Sequence, residues 1–272
     1  MLVPNPDYGC GIFRRRVRLA VDTHRVAVDL EDSNHAFRLA LGHDGERITT
    51  VEPQSVRHPF TTCPEAGGYL RSLVGLPLDP RPEVRRLVET RFGCTHLTDM
   101  AGLALAHLRD TGLVRLYDIA VDDERDDGRT RARITCDDEE VFDWTIARHA
   151  IVAPEAHSGR PMMQGFHAWA REAFAGLPLE AAIALQRGYF VAQARRYLST
   201  PERDFPAIGD GMPDGVCYSY SAPAVQRALR VAGSKRDFTT DTSALLRFRS
   251  TASTGAGRHR GDEREADGST SR

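Results

Sequence analysis

The stretch RVRLAVDTHRVAVDLEDSNHAFRLALGHDGERITTVEPQSVRH, residues 16–58, decides how this chain begins to fold. Its segments 16–22, 25–32, 35–44 and 48–58 are short and rich in Val, Leu and Ile, and turn-forming pairs such as Ser33-Asn34 and Asp44-Gly45 separate them. The pattern predicts an antiparallel meander. From Pro64 the period changes, because Ala66, Tyr69, Leu70, Leu73 and Val74 recur at helical spacing until Gly75 interrupts them. A second helix is expected over 82–91. A third is expected from Thr95, a residue suited to capping, with Leu97, Met100, Ala101, Ala104 and Leu108 on one face. Residues 1–110 therefore read as an α+β domain, an N-terminal antiparallel sheet packed by helices.

Strands return over 114–121 and 129–136 and beyond the acidic turn 137–140. Ala132, Ile134 and Cys136, then Phe142, Trp144 and Ile146, alternate with polar residues as a half-buried β-hairpin does. C-terminal helices are expected over 162–175 and 178–198, so residues 111–249 read as a β-hairpin plus a helical region packed on the first domain. Residues 250–272 contain no large apolar side chain to offset the entropy of ordering, and a disordered tail is expected there. No internal repeat is evident.

Composition narrows the function. The formal charge is -2 and 41% of residues are apolar, so no basic excess points to nucleic acid or an anionic membrane. The mean hydropathy of -0.40 comes with no apolar run of membrane-spanning length, and the first residues lack a signal-peptide core, which predicts a cytoplasmic protein. Five cysteines spread over 272 residues do not form a secreted disulfide framework. Lys235 is the single lysine among 36 basic residues, a codon-bias signature rather than a functional one. There is neither a Walker loop nor a GxGxxG after a strand, so no nucleotide cofactor is indicated.

The chemistry-bearing residues fall into two groups. Cys63 and Cys94 each precede an expected helix, where unpaired N–H groups and the helix dipole favour thiolate. With His58 five residues before Cys63 and His96 two after Cys94, they make a candidate zinc or iron ligand set of Cys63, Cys94, His96 and His58, without the spacing of a zinc ribbon. Asp99 is a candidate to orient His96. The second group is Asp32 and His35, a carboxylate and imidazole at one turn, suited to proton transfer, although Asp at a turn also serves the backbone alone.

The blocks CPEAGGYLRSLVGL (63–76) and FGCTHLTDMAGLALAHL (92–108) resemble the signature of a bacterial family known as domain of unknown function 2889. The likeness extends over roughly residues 8–240, through GCGIFRRRVRL, EDSNHAFRL, Trp144 and CYSYSAPA, and it implies a family without an assigned activity. The order of meander, Cys at a helix start, and second Cys-led helix is also similar to the iron–sulfur scaffold and sulfur-acceptor fold, which implies Cys63, Cys94 and His96 as ligands. Three functions follow as expectations. The first is a zinc- or iron-binding enzyme of small apolar or aromatic compound catabolism, with Asp32 and His35 moving protons. The second is a non-catalytic metal or iron–sulfur carrier or structural partner. The third is a metal-free thiol enzyme with Cys94 as nucleophile.

Overall fold

The computed structural model describes residues 3–78, 90–198 and 206–251. Eight strands form one antiparallel sheet: β2 (Ile12–Asp22), β3 (Arg25–Asp32), β4 (Ala36–His43), β5 (Ile48–Arg57), β6 (Val114–Asp122), β7 (Arg129–Cys136), β8 (Glu139–Ala147) and β9 (Ala150–Ala153). A separate pair joins β1 (Val3–Pro4) to β10 (Tyr197–Leu198). The sheet order is β5-β4-β3-β2-β6-β7-β8-β9, so two four-stranded meanders run outward from a central seam between β2 and β6. The topology repeats although the residues do not.

The division expected after residue 110 lies between two strands that pair across it. β2 and β6 are bonded from Ile12↔Asp122 to Ala20↔Val114, so both halves share one sheet. The expected hairpin is in turn part of the second meander. In both cases strand pairing between segments far apart in sequence extended what local periodicity could indicate.

Helices cover one face. α1 (Thr95–Ala106) packs on β3 and β4; α2 (Phe166–Ala173) and α3 (Gly176–Ala192) follow the second meander, and α3 packs on β6 and β7. Alternation along β2 sends Phe13, Arg15, Val17, Leu19 and Val21 to the covered face, all buried. In the expected first helix, Cys63–Leu73 forms 3₁₀ turns against β5, burying Ala66, Leu70 and Leu73. Gly67 lies so close to Pro53 of β5 that a Cβ there would stand 2.9 Å from the proline's Cβ. Most of the helix expected over 82–91 lies outside the described residues, and Thr90–Phe92 is a single 3₁₀ turn. The tail expected over 250–272 begins within the short helix α4 (Phe248–Thr251), and from residue 252 it lies outside the described residues. Among the described residues no helix is long and apolar enough to cross a membrane.

Leu73 is fully buried in the main core. Leu73→Ala is expected to cost about 2–5 kcal/mol of stability as a cavity; urea unfolding that moved by less than about 0.5 kcal/mol would show that the 63–73 segment does not hold the sheet.

Candidate functional site

The register of β2 on β3 sets Arg15 directly opposite Asp32 on the covered face. Asp32 is fully buried and Arg15 is 3% exposed; its Nε and Nη2 donate to Asp32 Oδ2 at 2.9 and 2.6 Å. The other oxygen builds the turn into β4. Asp32 Oδ1 accepts from the backbone N–H of Asn34 at 2.7 Å and of His35 at 2.8 Å, and Asp32 N–H donates back to His35 O at 2.8 Å. This closes the four-residue turn with His35 Nδ1 at 3.1 Å from Asp32 Oδ1.

Burial alone would raise the Asp32 pKa, but the imidazole of His35 and the guanidinium of Arg15 outweigh it and hold the carboxyl well below the usual range. An ionised carboxylate only accepts, so His35 Nδ1 carries a hydrogen and donates it to Asp32. The turn is braced from outside. Arg57 donates to the carbonyls of Asp32, Ser33 and His35, Arg236 N–H donates to Ser33 O at 2.8 Å, and Leu246 N–H donates to Glu31 at 2.7 Å.

α1 delivers the third residue. His96, in its first turn, lies with its ring centroid 4.0 Å from that of His35, and both rings stack on Phe37 at 5.7 and 5.5 Å. Burial first, then the adjacent His35 and Arg15, push the His96 pKa well below the ordinary imidazole value against the pull of Asp32, so this ring is neutral at neutral pH. Among the described residues, Asp32, His35 and His96 form the group of metal-ligand side chains whose atoms lie within 4.8 Å of one another.

Arg15 and His96 open onto a cavity of about 370 Å³, while Asp32 and His35 stand behind them. Its floor is Val17, Leu30, Tyr117 and Ile119 of the sheet, and its walls are α1 and α3, with Met100, Leu103, Leu179 and Ile183 among the lining residues. That size and apolar character are those of a small-molecule site. Asp99 pairs with Arg187 of α3 at 2.9 Å, so it ties the two walls together and is not the acceptor expected for His96.

The expected set of Cys63, Cys94, His96 and His58 does not assemble. His58 Nδ1 lies 2.8 Å from Phe60 O, in its own turn, and His96 turns to Asp32 and His35 instead. Cys63, Cys94 and Cys217 do converge: Cys63 Sγ lies 3.4 Å from Ser219 Oγ, and Tyr218 N–H donates to Gly93 O at 3.0 Å. Their acidity is the reverse of that expected. Burial pushes the Cys63 thiol up to about 11, against its hydrogen bonds to Ser219 and the backbone. Burial also raises the Cys94 thiol, Cys63 adds to the effect, and the N–H groups of Leu97 and His96 pull it back by less. Cys94 occupies the capping position of α1, with φ -86° and ψ 121°, yet is only 8% exposed.

Residues 14–109 match the family DUF2889, described as a protein of unknown function. The DUF2889 segment contains Arg15, Asp32, His35 and His96 and ends three residues beyond α1. β6 to β9, α2 and α3, and with them the far wall of the cavity, lie outside the DUF2889 match. None of the curated proteins compared matches the chain.

Two measurements follow from these acidities. Folded His96 refuses a proton that the unfolded chain binds below about pH 6.5, so stability drops as the pH falls below that value. The loss between pH 7 and pH 5 is expected to shrink in His96→Gln, and an unchanged difference in urea midpoints would mean that His96 titrates normally. At pH 7 iodoacetamide is expected to modify exposed Cys10 first and Cys63 and Cys94 last, followed by mass spectrometry; early labelling of Cys94 would restore the activated thiolate.

Proposed function

We propose that this protein is an acid–base enzyme acting on a small, largely apolar or aromatic molecule held between α1 and α3. The observation that carries the reading is a neutral imidazole, His96, facing the end of an apolar cavity beside a buried guanidinium, with an Asp32–His35 dyad behind it. The reaction class that suits this arrangement is proton transfer at a carbon next to a carbonyl. His96 takes the proton, the C–H electrons move onto the carbonyl oxygen, and Arg15, whose Nη1 takes no part in the Asp32 bonds, stabilises the developing oxyanion. The electrons then return from the oxygen and the proton passes from His96 back to the same carbon, on either face. Asp32 fixes the orientation of His35, and burial, with the His35 ring 4.0 Å away as the next cause, lowers the basicity of His96.

A zinc or iron ion on Asp32, His35 and His96 is the second reading, and the closeness of the three side chains favours it. Asp32 fits it poorly. Its carboxylate already accepts five donors, from Arg15 twice, the backbone of Asn34 and His35, and His35 Nδ1, against roughly four acceptor positions on an ionised carboxylate. Cys94 as nucleophile is disfavoured by the same burial that raises its pKa.

The test is solvent-deuterium exchange at the α-carbon of small apolar ketones shown to bind the cavity, followed by NMR. Wild-type protein is expected to accelerate exchange and His96→Ala to lose at least roughly 100-fold of it, the scale of general-base catalysis. Exchange no faster than buffer for ketones that bind would overturn the acid–base reading. Elemental analysis of protein purified without chelator is expected to give far less than one zinc or iron per chain; a stoichiometric metal lost in His35→Ala would put the metal reading in its place.

A further inference from the structure

The cavity has a second polar end. α1 and α3 run antiparallel as its walls, tied at one level by Asp99–Arg187 at 2.9 Å and at another by His107–Glu180 at 3.1 Å. His96 stands in the first turn of α1 and Ala106 at its last residue, and both line the cavity, which makes the slot about 15 Å long by the rise of an α-helix. Opposite the His96 end, Glu180 and Tyr117 face the same space.

Glu180 is held in place by three donors. Tyr117 Oη donates to Oε2 at 2.6 Å, Arg115 Nη1 donates to Oε2 at 2.8 Å, and His107 Nε2 donates to Oε1 at 3.1 Å. His107 Nδ1 in turn donates to Asp110 at 2.7 Å. Burial works against the Glu180 charge, but His107, Tyr117 and Arg115 outweigh it and keep the carboxyl ionised. Unlike Asp32, Glu180 therefore retains one of its roughly four acceptor positions, on Oε1.

We propose that Glu180 is the second anchor of the cavity and takes a hydroxyl group at the far end of the ligand. The ligand class is then an apolar alcohol or phenol whose reacting carbonyl lies at the other end of the molecule. The charges select among donors. Arg115 and His107 already balance Glu180, so an ammonium gains little there. A ligand carboxylate meets Glu180 itself, and the Arg115 Nη1 and Tyr117 donors are already engaged with it. A neutral hydroxyl fills the open acceptor position without disturbing that balance. The inference rests on the cavity being the substrate site, as proposed above.

The experiment compares 4-butylphenol with butylbenzene by NMR titration on the full chain. Wild type is expected to prefer the phenol by roughly tenfold or more, the scale of a hydrogen bond to a charged group. Glu180→Gln is expected to cut that preference several-fold and Glu180→Ala to remove it, while butylbenzene binding persists and reports that the cavity is intact. If the alanine variant fails to fold, the glutamine variant decides. Equal wild-type binding of the two probes, or an undiminished preference in the folded variants, overturns the Glu180 anchor and leaves the cavity reading in place. No binding of either probe to wild type, or binding undiminished by Leu103→Trp placed to block the slot, overturns both.

Discussion

The pairing of β2 with β6 is the constraint on which the rest of the molecule depends. It fuses two meanders into one sheet and sets Val17 opposite Tyr117 at the centre of the covered face. Arg15 and Arg115 each stand two residues before that pair on their own strand. Because the strands are antiparallel, the two guanidinium groups lie on opposite sides of it, one beside Asp32 and the other beside Glu180. A slip of one residue between them would turn one strand's side chains to the other face of the sheet, parting Arg15 and Val17 from Tyr117, Ile119 and Arg115. The two polar ends of the slot are thus consequences of one register.

Burying an arginine–carboxylate pair is expensive, and the mutual attraction offsets the lost hydration only where the remaining hydrogen-bonding groups are satisfied. Asp32 meets that condition with donors from β2, its own turn and His35. The saturation gives the carboxylate a single role: it fixes neighbours and has no capacity left for substrate. Glu180, with one acceptor position open, is the opposite case. The same residue chemistry therefore orients a side chain at one end of the cavity and is free to meet a ligand at the other.

The cysteines show why a local argument about acidity fails. A helix terminus favours a negative charge by roughly 0.3–1 kcal/mol, which is less than one pKa unit. Full burial moves a pKa by as much as 3–5 units in the other direction. Cys63 and Cys94 sit where the helix argument places them, but they sit there under the C-terminal segment, whose Ser219 and Tyr218 close over them. Desolvation decides their state.

Strand segments were legible wherever apolar alternation is local, and seven of the long strands lie where the periodicity puts them. The Asp32–His35 contact was legible too, since three residues and a turn separate them and the turn's own hydrogen bonds bring them together. Arg15 carries a signal in the sequence: it shares the parity of Phe13, Val17, Leu19 and Val21, and a charged residue on a core-facing stripe needs a buried partner. His96 gave no such indication, because its neighbours lie 59 to 64 residues away and are reached only when α1 packs on β3 and β4. Glu180 likewise meets His107 only through the packing of α3 beside α1. The amino-acid sequence by itself determined the strands, the turn and the apolar faces, since these follow from interactions over a few residues. Tertiary structure alone decided which polar side chains share a cavity and which protons they hold, since both depend on burial and on charges brought together from distant segments.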